Sequence, residues 1–73
     1  MPTLSDYRVI VGAAIREERK RARLTQERLA ERAGLHPNYL GRIERGEEHV
    51  SLNALQRIAK ALGVRVRDLV HDI

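Results

Sequence analysis

Residues 24–46 read LTQERLAERAGLHPNYLGRIERG, and they carry two short helical patterns separated by a turn. Leu29 and Ala33 stand four apart, on one face of the first helix; Leu40 and Ile43 stand three apart, on one face of the second. Leu35 lies between them and can fill the space where the faces meet. Ala30 is small where the helices have to approach, and Gly34 supplies the left-handed backbone that a sharp turn needs. Thr25 is a good cap for the first helix, although Arg28 stands near the capping-box position that favours Glu or Gln. Pro37 opens the second, in a turn where its missing N–H is not needed. The turn is too tight to allow more than one crossing angle. This is a helix-turn-helix pattern, whose second helix commonly lies in a DNA major groove.

Working outward, a helix is expected from near residue 6 to residue 21, capped by Ser5 or Asp6. Its inner face takes in Ile10 or Val11, Ala14, Ile15, and Glu18 or Arg19. After the turn pair comes a helix capped by Ser51 and closed by Gly63, buried through Leu52, Leu55, Ile58, Ala59 and Leu62. A short fifth helix, about residues 66–71, follows Val64 and carries Leu69 and Val70. No segment alternates convincingly as a strand, though VRV is too short to decide. The expected fold class is all-α, with five helices in one compact domain over residues 1–73.

Composition narrows the function. With 73 residues and no cysteine, the core is small and unstapled, so stability must come from helix packing, a partner subunit, or both. The absence of cysteine is compatible with the cytosol. No positive region precedes an apolar run at the N-terminus, and no apolar stretch is long enough to span a bilayer. We therefore expect a soluble cytoplasmic protein without a leader or membrane segment. The net charge of +4 is localised: residues 16–45 hold nine Arg or Lys against five Glu, whereas the flanking segments balance. Such an excess is either a solvated arginine-rich surface or, on a helix-turn-helix, a field suited to phosphates. Enzyme readings fare poorly. His36, His49 and His71 lack zinc-site spacing, there is no glycine-rich phosphate loop, and adjacent Glu47 and Glu48 point apart. No metal, cofactor or small-molecule ligand is expected.

The run Q-x-x-L-A-x-x-A-G-L from Gln26, then I-E-R-G from Ile43, resembles the Cro/repressor-type (XRE-like) helix-turn-helix regulators. SLNALQRIAKALGV from Ser51 looks like that family's next helix, so the resemblance runs from about residue 10 to residue 69. It implies a lambda-repressor-like fold with the helix-turn-helix at about residues 25–45. Within the family, LHPNYLGRIERG and the ERGEEHVSL loop look most like the controller proteins of restriction–modification systems. Arg23 departs from the pattern, standing where the family usually has glycine; in a left-handed conformation it would cost on the order of 1 kcal/mol. Gly41 lies inside the second helix, where it costs roughly 1 kcal/mol against alanine. It is either tolerated at an exposed site or lets the helix approach DNA closely.

Base readout needs exposed side chains near the start of the second helix. Leu40 and Ile43 face inward, which leaves His36, Pro37, Asn38, Tyr39, Gly41 and Arg42. Arginine can bond guanine O6 and N7 together, and asparagine adenine N6 and N7. The resemblance maps the groove-facing positions to Pro37, Asn38 and Arg42, with Tyr39 close by. Pro37 offers apolar contact alone, so the weight falls on Arg42 and Asn38. Solvation of Asn38 and a surface salt bridge for Arg42 are the plainer alternatives. Phosphate contacts are expected from Thr25, Gln26, His36, Arg45, Ser51 and Asn53, at or beside helix ends. For Thr25, capping is the simpler role; Tyr39 either reaches a phosphate or packs against Arg42. The resemblance also implies an internal ion pair between Arg19 and Glu44.

These residues point to a regulator that binds double-stranded DNA as a homodimer on a two-fold operator, controlled through its own concentration, with no sensor domain. The controller resemblance implies regulation of its own gene and of an endonuclease gene, with activation at low occupancy and repression at high. A phage-type repressor or antitoxin, and a protein-interaction module that has lost DNA binding, stay open. Residues 63–73 are expected to dimerise. Val64 and Leu69 close the monomer, and the contact falls to Val66, Leu69, Val70 and Ile73; alternatively, all five finish the monomer core.

Overall fold

The computed structural model describes residues 4–72, with side chains from residue 7. Five helices follow one another: α1 Leu4–Arg21, α2 Gln26–Ala33, α3 Pro37–Glu44, α4 Leu52–Leu62 and α5 Val66–Val70. No strand occurs among the described residues, and VRV leads into α5 instead. The first helix starts two residues before Asp6, which puts Ser5 and Asp6 in its first turn rather than at its cap.

Local chemistry sets the other ends. The Thr25 hydroxyl accepts the Arg28 N–H at 3.1 Å, and the Ser51 hydroxyl accepts the Ala54 N–H at 3.0 Å. Each satisfies one of the donors a helix start leaves open. Gly34, at φ 69°, closes α2 and turns the chain into α3. Arg23 closes α1 in the same way, at φ 60° without being glycine. Leu24 N–H bonds the Arg19 carbonyl at 3.1 Å and Arg23 N–H that of Lys20 at 3.0 Å, the paired bonds of a Schellman ending. Relieving that strain should help: Arg23→Gly is expected to stabilise the domain by about 0.5–1 kcal/mol, the unfolded chain's extra freedom offsetting part of the gain. Thermal unfolding would show it as a Tm rise of a few degrees.

Every helix feeds the core. Val11 and Ile15 come from α1, Leu29 from α2, Leu40 and Ile43 from α3, Ile58 from α4 and Leu69 from α5, all essentially without solvent exposure. α1 packs on α3 and α5, while α2 packs on α3 and α4. Two expectations change. Leu52 is 68% exposed, and Ala54 is buried in its place. The buried face of α4 is centred between Leu55 and Ile58, and at 100° per residue Ala54 lies nearer that centre than Leu52. Leu69 is 1% exposed, so it belongs to the monomer's core and is unavailable to a dimer contact.

Gly12 positions α1 against α3. A Cβ built on it would lie 2.2 Å from the Ile43 carbonyl oxygen and 3.0 Å from that of Glu44. Only a residue without a side chain lets the end of α3 rest on α1 at this depth. The sequence reading passed over this glycine, because an isolated helical glycine carries no signal of what it faces.

Candidate nucleic-acid interface

The outward face of α3 is the candidate. Leu40 and Ile43 anchor the helix below, and Pro37, Asn38 and Arg42 stand exposed above. A buried charge fixes its far end. The Glu44 side chain is 2% exposed, yet its carboxylate accepts Arg19 Nε at 2.7 Å, Arg19 Nη2 at 3.0 Å and Gln26 Nε2 at 3.0 Å. Arg19, 12% exposed, spends Nη1 on the Leu24 carbonyl at 2.8 Å. One carboxylate thus ties α1, the start of α2 and the end of α3 together. A bidentate, charge-assisted fork of this kind satisfies groups that would be costly if left unpaired.

Several expected contacts serve the protein's own backbone. Thr25 and Ser51 are caps, and His36 caps α3, its Nδ1 accepting the Asn38 N–H at 3.1 Å. The Tyr39 hydroxyl is engaged within the protein. It donates to the His49 carbonyl and accepts from the Ser51 N–H, both at 3.3 Å, pinning the loop after α3. Gly41 is buried rather than exposed: a Cβ there would meet Arg45 Nη1 at 3.2 Å and Gln26 Oε1 at 3.7 Å. Asn53 is exposed in the first turn of α4. The two arginines flanking this surface are paired in the free protein, Arg42 Nε with Glu48 at 3.0 Å and Arg45 Nε with Glu47 at 3.1 Å.

Arg16 was missed. It lines a shallow notch with Arg19, Gln26, Glu44 and Arg45, and Lys20 lines the neighbouring one with Arg16 and Arg45. The signal was available: Arg16 precedes Arg19 by three residues, so a helix that turns Arg19 toward α3 brings Arg16 along. Gln26, Arg45, Arg16 and Lys20 therefore form a cationic and amide-bearing rim beside the exposed residues of α3, while the notch floor is the neutralised Arg19–Glu44 pair.

At the other end, Val66 and Val70 are half-buried against the core, and Ile73 lies outside the described residues. Leu52 and Val9 are the large apolar side chains most exposed among the described residues. No group of His, Cys, Asp or Glu among them is placed to hold a metal ion, and no described helix is long and apolar enough to cross a membrane.

Comparison with known proteins adds a second line of support. A helix-turn-helix family model matches residues 15–69. Control protein C.BamHI of Bacillus amyloliquefaciens is 39% identical over 67 residues, which span 90% of this chain and 83% of that protein. Control protein C.SmaI of Serratia marcescens is 42% identical over 65 residues, 89% of this chain and 77% of that one. Among solved structures, the restriction-modification controller protein C.AhdI from Aeromonas hydrophila superposes with a TM-score of 0.83 at 40% identity, covering 85% of this chain and 94% of that chain.

Proposed function

This chain belongs to the XRE-type helix-turn-helix family, with controller proteins among its relatives, and we propose that it reads a two-fold operator as a homodimer in the manner of a restriction–modification controller. It is a DNA-binding transcriptional regulator and not an enzyme. The observation that carries the reading is the juxtaposition on α3: Asn38 and Arg42 exposed on a helix locked from beneath, with Gln26, Arg45 and Arg16 alongside. Asn38 and Arg42 contact base edges, and Pro37 adds apolar contact, for instance to a thymine methyl. Gln26 and Arg45 hold the phosphate backbone, joined by Arg16 and Lys20. Glu44 engages one Gln26 amide N–H, and the amide carries a second for a phosphate. Thr25, His36, Ser51 and Asn53 sit at helix N-termini and contribute through backbone N–H groups, since three of those side chains are used as caps. The cytoplasm is where such a regulator works.

Selection of bound duplexes from random DNA tests this directly. A palindromic consensus with half-sites about 34 Å apart, one helical turn, is the expected product. A protein that enriches no sequence would instead be an interaction module.

For the dimer, the apolar side chains left exposed on α4 and α5 after the monomer closes are Leu52 and, in part, Val66 and Val70, with Val9 exposed on α1. Leu52→Asp is the cleaner probe because that side chain adds little to the monomer core. It is expected to shift sedimentation equilibrium toward monomer with helical circular dichroism intact, and operator affinity should fall as the second half-site is lost. Wild-type protein that stays monomeric at tens of micromolar, yet binds a full operator tightly, would rule the dimer out.

A further inference from the structure

We propose that Glu48 is a positioning residue for Arg42, holding its guanidinium so that the two terminal amino groups present themselves as a fork to guanine. The inference deepens the DNA-recognition reading above and rests on it. Glu48 Oε2 accepts Arg42 Nε at 3.0 Å, and among the described residues no hydrogen bond engages the terminal nitrogens. Guanine O6 and N7 are bonded by two guanidinium N–H groups at once, so an arginine fixed through Nε keeps its end-on pair for the base.

The loop is built to hold that carboxylate in place. On one side, the Glu47 N–H bonds the Arg42 carbonyl at 2.9 Å, which folds the chain back over the last turn of α3. On the other, Tyr39, three residues before Arg42 on α3, grips the His49 carbonyl and the Ser51 N–H. Glu48 lies between these two anchors, both of which belong to the recognition helix itself. The pair is 45% and 40% exposed, and a surface ion pair that wet adds little to folding. Its effect falls on binding. A free arginine side chain has much rotamer entropy to lose when it docks, and a carboxylate that orders it beforehand reduces that loss.

The test uses duplexes carrying the site selected by wild-type protein, and the same site with the Arg42-dependent base pair exchanged. That base pair is located first, by comparing wild type with Arg42→Ala across single exchanges. Glu48→Ala is expected to reduce discrimination at that pair by about 3–10-fold. Glu48→Gln, whose amide oxygen still accepts Nε–H, should retain it to within about 2-fold. In an Arg42→Ala background, Glu48→Ala should change nothing further there. Circular dichroism melts of both Glu48 variants are expected to match wild type.

Three results would overturn the proposal. Equal strengthening on every duplex by Glu48→Ala and Glu48→Gln, with discrimination unchanged, would make Glu48 a general repulsive charge. Lost discrimination at a different base pair, persisting in the Arg42→Ala background, would make it a direct reader of cytosine. If Arg42→Ala itself alters no base preference, the assignment of Arg42 fails before Glu48 is touched, and the buttress falls with it.

Discussion

Gly12→Ala is expected to destabilise the domain by about 1–3 kcal/mol, the clash outweighing alanine's better helix propensity of roughly 1 kcal/mol. The added Cβ would sit 2.2 Å from a backbone oxygen of Ile43, an atom held by a helix and unable to swing aside. α1 and α3 must therefore separate, and the separation lengthens the Arg19–Glu44 bonds that bridge the same crossing. A domain of this size holds roughly 4–11 kcal/mol in total, so the variant should be largely unfolded well below the wild-type midpoint. Urea titration followed by circular dichroism measures it. Wild-type stability in this variant would mean that the two helices do not approach as closely as described.

Arg19→Ala is the second large effect, at about 3–5 kcal/mol, because it leaves the Glu44 carboxylate buried with only the Gln26 amide to answer it. The paired replacement Arg19→Met with Glu44→Leu removes both charges and should recover to within about 1 kcal/mol of wild type. Recovery of the fold is not recovery of function. Gln26 loses the carboxylate that orients its amide, so operator binding in the double variant is expected to remain weaker than wild type. A double variant as unstable as the single one would show that the pair's packing, rather than its charge balance, holds α3.

Much of this was legible from residues 24–46. Leu29, Ala33, Leu40 and Ile43 are spaced so that each helix has a single apolar face, and Thr25, Gly34 and Pro37 mark the helix ends through the backbone conformations they favour. What escaped depends on contacts between distant segments. Gly12 looks like any helical glycine until α3 is laid on it, and Tyr39 reads as a surface aromatic until the loop at 49–51 folds under its hydroxyl. Leu52 was misplaced because a position three residues before a core leucine fits the stripe while lying at its margin. Leu69 reads from sequence both as closing the monomer and as part of the dimer contact; α5 is so short that its central leucine serves the core alone. Sequence leaves a surface salt bridge open for Arg42 but names no partner for it, and none for Arg45. Their pairing with Glu48 and Glu47 follows from the reversal of the chain after Gly46, which spacing along a helix does not encode.

The exposed face of α3 as the surface that reads DNA is tested most directly by Arg42→Ala, through relative affinity for the selected operator and for operators with single base pairs exchanged. We expect a loss of about 1–3 kcal/mol on the operator and a flattened preference at one base pair in each half-site. Gln26→Ala and Arg45→Ala, measured alongside, should weaken all duplexes alike and lower the salt dependence. An Arg42→Ala protein that keeps the wild-type ratio at every exchanged pair would contradict base readout by this helix face.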